Sequence, residues 1–317
     1  MPTRGIDLNY AIPYLDSHGI VVDEGKIRAF AVDILPGQLQ LPAWRDPVFP
    51  VSDDEQTVKF FFIANSVNFC FWGSPKWKVR YKGREYDGSF GLFAAFSRAI
   101  DECIPILDAG YLAELNEEQL AHIFRAKIQI PLLAERLVIL RETGRVLAAR
   151  YGGSVLDLLK SAEGRADMLV SRITEVFPSF RDTASFGTHR VEFNKRAQLV
   201  AGMLFARFRG KSYGELKGFD TFTLFADYKI PQVLRYLEIL RYGPTLAGMV
   251  DNMIELTPTQ GDTIRLATVC AGEVLMDHLR NRFPQANAVG LDGLLWQRSQ
   301  ERAVTMLPYH RVKSIYY

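Results

Sequence analysis

Apolar residues recur at helical spacing from about residue 89 to the end of the chain, and this pattern most constrains the fold. The segment that opens at Pro131 closes at Gly152-Gly153, a pair typical of a helix end. Asn116 and Gln119 form a capping box at the start of an earlier helix, and residues 179–190 are predicted to be a polar loop. Further helices are predicted over residues 154–164, 169–177, 193–204, 231–243, 262–274 and 291–302.

β-structure is predicted only in the N-terminal third. Residues 57–72 are rich in aromatic and β-branched side chains, and apolar and basic residues alternate over 77–82. A turn is predicted at Lys82-Gly83. We therefore expect a mainly α fold with a small β-element (α+β), in which one compact domain spans residues 1–317 and a small hairpin or sheet lies near 57–87.

The composition is typical of a folded globular chain, because 48% of its 317 residues are hydrophobic and 23% are charged. A formal net charge of +2 argues against a dedicated binder of long duplexes, but it leaves room for a basic pocket that holds one phosphate. Cys70, Cys103 and Cys270 form no CxxC pair, so we expect buried thiols in a reducing compartment.

Two features favour a cytoplasmic location. The segment Met1-Pro2-Thr3-Arg4-Gly5 opens no apolar core of signal-peptide length. No uninterrupted apolar stretch approaches the ~20 residues of a membrane span. We therefore expect a cytoplasmic protein without a membrane partner.

The common catalytic motifs are missing from the sequence. It contains no GxGxxG after a strand, no GxxxxGKS/T, no GxSxG and no HExxH, and its five histidines are scattered. These absences remove the common nucleotide-cofactor, serine-hydrolase and helical zinc-protease hypotheses and leave carboxylate or lysine chemistry. We predict neither a cofactor nor a metal site.

The segment Phe225-Ala226-Asp227-Tyr228-Lys229-Ile230-Pro231 is the strongest candidate site. It places the carboxylate of Asp227 and the ammonium of Lys229 two residues apart among apolar and aromatic neighbours. Proline is favoured at a helix start, so Asp227 should lie a few residues ahead of one. A rigidly held, desolvated carboxylate can stabilise a developing cation or activate water. The simpler alternative is a helix anchor followed by a surface lysine.

Three other places are candidate contributors to a site. Asn194-Lys195-Arg196 puts positive charge at a helix start, either as an anchor for a phosphate or for Asp227, or simply at the surface. Asp292 and Trp296 share a helix face, either as an acceptor beside a stacking ring or as an N-terminal acid and a core tryptophan. His18 stands alone in a turn-like stretch.

Several segments, taken in order, make the chain resemble the queuosine salvage protein family, the queuosine 5′-phosphate N-glycosylase/hydrolases. The resemblance extends from about residue 60 to the end and depends on the order and spacing of the segments. The chain departs from the family at Gly293 and Gln297, where relatives carry an aromatic residue and an acid. The matching segments are Val67-Asn68-Phe69-Cys70-Phe71-Trp72, Val79-Arg80-Tyr81-Lys82-Gly83, Phe177-Pro178-Ser179-Phe180-Arg181-Asp182, Lys195-Arg196-Ala197-Gln198, Phe225-Ala226-Asp227-Tyr228-Lys229-Ile230-Pro231-Gln232-Val233-Leu234, Pro308-Tyr309-His310-Arg311 and Ile315-Tyr316-Tyr317.

The resemblance implies a fold like that of helix-hairpin-helix DNA glycosylases. It also implies a hydrolase that releases the base queuine from queuosine 5′-monophosphate, a small-molecule nucleotide, and leaves ribose 5-phosphate. Asp227 falls on the family's catalytic position, and Phe225, Asp292 and His18 fall on positions that contact the substrate.

The chemistry of this reaction suggests roles for the remaining candidates. Phe225 or Trp296 is expected to stack on the base, and Lys195 or Lys229 is expected to meet the 5′-phosphate. No stable nucleic-acid partner is expected. Two alternatives stay open, namely a non-catalytic nucleotide- or tRNA-binding helical module and a nucleosidase or DNA glycosylase with another substrate. A tRNA binder should show a continuous basic face and an affinity that falls steeply with salt.

Overall fold

The computed structural model of the protein describes residues 6–317, so the expectation drawn from Met1–Gly5 lies outside the described residues. Helices account for 55% of the residues, which confirms the predicted mainly α fold with small β-elements. The α-helices are α1 Leu8–Ser17, α2 Glu24–Asp33, α3 Glu55–Ser66, α4 Gly88–Asp101, α5 Ala109–Glu114, α6 Glu117–Ile123, α7 Leu133–Tyr151, α8 Val155–Lys160, α9 Ala166–Val176, α10 Lys195–Arg207, α11 Lys229–Tyr236, α12 Pro244–Asp251, α13 Pro258–Arg282 and α14 Ala288–Glu301. None of them combines the length and the apolar character that crossing a bilayer requires.

The strands form three antiparallel pairs, β1 with β6, β2 with β3 and β4 with β5. The β2–β3 hairpin confirms the part of the predicted β-element that lies beyond residue 77. The part over 57–66 was wrong, because these residues belong to α3. The strands are β1 Ile20–Val22, β2 Lys78–Tyr81, β3 Arg84–Asp87, β4 Thr183–Phe186, β5 His189–Glu192 and β6 Leu240–Tyr242.

Burial explains why α3 was mistaken for β-structure. Asp54 caps the helix by accepting a hydrogen bond from the Thr57 N–H at 3.2 Å. Almost every residue from Thr57 to Ser66 is buried, so the helix has no polar face from which a period of 3.6 residues could be recognised. The predicted polar loop over 179–190 was also wrong, because most of it forms the β4–β5 hairpin.

Some predicted helix ends agree with the structure, but the helix predicted over 231–243 ends at Tyr236, and Leu240–Tyr242 form β6, outside the N-terminal third to which β-structure was assigned. The capping box of Asn116 and Gln119 opens α6, and α7 ends at Gly152, whose φ of 56° lies in the left-handed region that glycine tolerates. The helix expected to begin at Asp262 begins earlier, at a capping box that Thr257 and Gln260 form ahead of α13.

The cysteine prediction held for two of the three residues. Cys70 and Cys270 are buried as expected. Cys103, which follows the end of α4, is exposed, so the expectation of a buried thiol was wrong for this residue.

The chain divides into two compact units, and the first comprises the residues up to Pro42, Asp182–Lys195 and Gly218–Lys313. Its central element is α13, which is buried along most of its length. Around α13 pack four helices and one strand pair, which are α1, α2, α11, α14 and β1–β6. This unit contains every candidate site residue predicted from the sequence.

The second unit comprises Ala43–Arg181, Arg196–Lys217 and Ser314–Tyr317. Helices α3, α4 and α7 form its centre, and α5 packs closely on α7. The Cys70 N–H donates to the backbone oxygen of Tyr317 at 2.9 Å, which holds Tyr317 against this unit. A single compact domain over 1–317 stays a prediction.

Helix α14 is held close to the backbone that precedes Pro42 in the first unit. A Cβ atom added at Gly293 would lie 2.5 Å from the carbonyl oxygen of Gln40 and 2.9 Å from the Cα of Leu41. A Cβ atom at Gly290 would lie 2.6 Å from the carbonyl oxygen of Leu39. Only glycine therefore fits at these two positions of the helix that carries Asp292.

We predict that Gly293→Ala lowers the free energy of unfolding by about 1–3 kcal/mol, because the added methyl group overlaps backbone atoms that must then shift. Gly248→Ala in α12 is the matched control, since a Cβ atom there meets nothing within 4 Å. This control should stabilise the protein by about 0.5–1 kcal/mol through helix propensity alone. Urea denaturation of both variants checks the prediction, and equal effects of the two changes would contradict it.

Candidate active site

The backbone around Asp227 is irregular and tightly folded. The Ala226 N–H donates to the carbonyl oxygen of Leu224 at 2.8 Å, and the Asp227 N–H donates to that of Phe225 at 2.6 Å. These are hydrogen bonds between residues two apart, as in γ-turns. Leu224, Phe225 and Ala226 are all buried. The chain therefore reaches Asp227 through a compact segment rather than through a regular strand.

Three consecutive residues of this segment are fixed by contacts from outside it. The Phe225 N–H donates to Asp292 Oδ1 at 2.9 Å. The carbonyl oxygen of Ala226 accepts a hydrogen bond from Arg265 Nε at 2.9 Å. Asp227 Oδ1 accepts from the N–H groups of the first two residues of α11 at 2.7 Å and 3.1 Å. The position of the Asp227 carboxylate is thus set from both sides along the chain.

Asp227 is half-buried and lies just ahead of α11, as predicted. Its Oδ1 anchors the helix start, so the simpler alternative is correct for that one oxygen atom. In the part of the chain that the structure describes, Oδ2 accepts no hydrogen bond, which leaves it available to another group. The centres of the rings of Tyr228, the next residue, and Tyr309 lie 4.7 Å apart.

Asp292 is the second carboxyl group of the site and is only 5% exposed. Burial raises its pKa well above the usual range, and the negative charge of Asp227 raises it further. The Phe225 N–H and the positive charge of Lys195 act in the opposite direction. The site therefore contains two interacting carboxyl groups in unlike environments, with a lysine charge close enough to affect one of them.

Lys195 is buried, 6% exposed, at the first position of α10. Surface display of its charge was therefore the wrong alternative. Its backbone N–H donates to Asp182 Oδ2 at 3.2 Å. Asp182 forms a bidentate ion pair with Arg265, with distances of 2.8 Å and 2.6 Å between the guanidinium nitrogens and the carboxylate oxygens.

Lys229 and Trp296 are both half-buried. The Lys229 Nζ donates to Gln232 Oε1 at 3.2 Å and lies 5.0 Å from the centre of the Tyr309 ring. Trp296 follows Asp292 by one turn of α14, on the same face, as the spacing predicted.

The family model for the queuosine salvage protein matches residues 48–317. The chain belongs to this family. A curated relative from Sphaerobacter thermophilus, the queuosine 5′-phosphate N-glycosylase/hydrolase, is 38% identical over 95% of this chain and 94% of its own length. The mouse and bovine proteins of the same name are 34% and 32% identical, each over 95% of both chains. The queuosine salvage resemblance found in the sequence is thereby confirmed.

The structure brings four of the predicted residues into one cluster and leaves one elsewhere. Phe225, Asp227, Asp292 and Lys195 are joined by the contacts and charge interactions described above. His18 instead is exposed at the end of α1, stacks on Tyr14 at 4.0 Å and lines a separate groove of about 380 Å³. Its role as a substrate contact stays a prediction.

Helices α1, α12 and α13 border the groove that contains His18. Its lining is mostly neutral. The lining residues are His18, Gly19, Ile20, Gly243, Pro244, Thr245, Leu246, Thr259, Gln260 and Thr263. Within residues 6–317, no group of three or more metal-ligating His, Cys, Asp or Glu side chains occurs.

Arg265 and its partner Asp182 were missed as site residues by sequence analysis. A signal did exist, because Arg265 stands between Ile264 and Leu266 at the start of a run of mostly small and apolar residues that continues to Gly272. A charge in such a run requires a buried partner. The partner could not be identified from the sequence, since Asp182 lies 83 positions away.

We predict that Asp292→Asn flattens the dependence of stability on pH. Because the folded protein raises the pKa of Asp292, it binds that proton more tightly than the unfolded chain does. This contribution to stability is full below the ordinary aspartate pKa of about 4 and is lost as the pH rises toward the pKa of the folded state.

The asparagine variant should therefore gain stability relative to the unaltered protein as the pH rises. Urea denaturation of both proteins from roughly pH 5 to pH 8 measures this difference. The amide oxygen of the asparagine can still accept the Phe225 N–H, so that contact is kept. A difference that does not change with pH would contradict the prediction.

Proposed function

We propose that this protein hydrolyses the N-glycosidic bond of queuosine 5′-monophosphate. In this reaction water replaces the base at C1′, which gives queuine and ribose 5-phosphate. The observation that carries the proposal is membership of the queuosine salvage family along most of the chain, with curated relatives of matching length named for this activity. The clustered carboxyl groups of Asp227 and Asp292 supply the chemistry that such a reaction requires.

Asp227 is the proposed catalytic residue. As the glycosidic bond breaks, positive charge develops on the sugar, and a fixed carboxylate nearby lowers the energy of that state. The support for Asp227 is that Oδ1 is held by the start of α11 while Oδ2 accepts no hydrogen bond from residues 6–317. The available oxygen can face C1′ or orient the attacking water.

Asp292 is the proposed partner of the departing base. Queuine has a carbon where guanine has N7, so protonation at N7 cannot activate the leaving group. Hydrogen bonds to the rest of the base must compensate. The raised pKa of Asp292 favours its protonated form, which offers a donor that a carboxylate lacks. Phe225 or Trp296 would stack on the base.

The proposal extends to fold, location and partners. It includes a fold related to that of helix-hairpin-helix DNA glycosylases, a single domain and a cytoplasmic location. It also includes the absence of a stable nucleic-acid or membrane partner. Their support is the family resemblance together with the near-neutral net charge of +2.

We predict that Asp227→Asn folds normally but releases queuine at least ~10²-fold more slowly, because the shape is kept while the charge is lost. The assay is incubation with queuosine 5′-monophosphate followed by chromatography for the free base. Asp220→Asn is the matched control, since Asp220 is an exposed acid on the same segment and should tolerate the change. Release by Asp227→Asn at the control's rate would remove Asp227 from the mechanism.

We predict that one of the two variants Lys195→Met and Lys229→Met loses its preference for the phosphorylated substrate. A hydrogen bond to a charged group contributes about 1.5–3 kcal/mol, so loss of the phosphate contact should reduce the ratio of kcat/KM for the nucleotide over the nucleoside by about tenfold or more. Both substrates are assayed on the same variant, so loss of folded protein cancels in the ratio. An unchanged ratio in both variants would show that neither lysine holds the phosphate.

A further inference from the structure

We propose that Arg265 is a positioning residue that fixes the Asp227 carboxylate by holding the backbone beside it; this inference rests on the proposed function. The guanidinium is 1% exposed and makes directed contacts with two different parts of the site. Arg265 would not touch the substrate itself. Its effect on the reaction passes through Asp227.

The first contact is with the residue before Asp227. Arg265 Nε donates to the carbonyl oxygen of Ala226 at 2.9 Å. The carbonyl group of Ala226 and the N–H group of Asp227 belong to the same planar peptide unit. A shift of this carbonyl group would therefore also reorient the backbone of Asp227. The neighbouring Phe225 N–H is held by Asp292, so of these two side chains Arg265 binds the backbone closer to Asp227.

The second contact is with the segment that carries Lys195. Both terminal nitrogens of Arg265 bind the Asp182 carboxylate, and Asp182 Oδ2 also accepts the Lys195 N–H at 3.2 Å. One guanidinium group therefore fixes the backbone beside Asp227 and, through Asp182, the first residue of α10. Arg265 and Asp182 together therefore link the backbone beside Asp227 to the backbone of Lys195.

The guanidinium itself has little freedom to move. Its central carbon lies 4.0 Å from the centre of the Phe193 ring, and a terminal nitrogen lies 3.5 Å from Asp262 Oδ1. The planar fork of arginine matches this arrangement, with two donors on Asp182 and a third directed at Ala226. A lysine at this position could keep the ion pair but has no planar fork with which to hold both partners.

The test is a double-substitution cycle with Arg265→Lys and Asp227→Asn. Alone, Arg265→Lys should lower kcat for queuosine 5′-monophosphate between about 10-fold and 100-fold, because displacement of a reacting group by about 1 Å can have that effect. In the Asp227→Asn background the same change should alter the residual rate by less than about twofold. The reason is that the effects of substitutions at residues that act as a unit do not add. Arg280→Lys on the same helix is the control and should keep full activity.

The cycle separates positioning from a general structural role. Loss of folded protein would lower the rate by the same factor in both backgrounds, and that result would overturn the proposal, as would full activity of Arg265→Lys. If Asp227→Asn itself keeps normal turnover, the proposed function fails at that step. If Asp227→Asn is impaired while Arg265→Lys is fully active, the positioning role alone is wrong.

A second pair of substitutions covers the case in which Arg265→Lys does not fold. Replacing a buried ion pair by apolar residues of similar volume is often tolerated, so Arg265→Met combined with Asp182→Leu removes both contacts without leaving either member of the pair alone. A folded double variant whose defect disappears in the Asp227→Asn background supports the proposal. A double variant with normal turnover overturns it, and so does one that cannot fold, because the pair then serves the fold alone.

Discussion

The buried ion pair between Arg265 and Asp182 is the interaction on which the arrangement of the site depends. Two charges removed from water destabilise a fold unless their geometry and hydrogen bonds are nearly complete. Both requirements are met here, because the ion pair is bidentate. In addition, Arg265 donates to the carbonyl oxygen of Ala226, and Asp182 accepts from the Lys195 N–H. Two segments far apart in the chain are thereby held against α13, one that leads into Asp227 and one that includes Lys195.

The two carboxyl groups of the site differ because their surroundings differ. Asp292 is buried and its pKa is raised, whereas Asp227 is half-buried and anchored at the start of α11. Burial and the negative charge of Asp227 both favour the protonated form of Asp292, in which its carboxyl group can donate a hydrogen bond. The glycines at positions 290 and 293 of α14 serve the same arrangement, since they allow the helix that bears Asp292 to approach the backbone near Gln40.

Features set by local chemistry were predictable from the sequence, and those set by distant contacts were not. The capping box at Asn116, the end of α7 and the place of Asp227 ahead of a helix follow from residues close together in the chain. Helix α3 was missed because it is buried on nearly all sides, so polar residues do not recur along it at helical spacing. The burial of Lys195 and the role of Arg265 depend on partners that only the fold brings near. The substrate came from the family resemblance, since no spacing of residues specifies a 7-deazaguanine base.

The pairing of β1 with β6 has a consequence for how the chain matures. Val22 lies opposite Leu240, so roughly 220 residues must leave the ribosome before the first strand can find its neighbour. At translation rates of about 5–20 residues per second, the edge of β1 waits on the order of ten to forty seconds in the nascent chain. Such an unpaired edge invites wrong association, and its length of three residues limits that hazard.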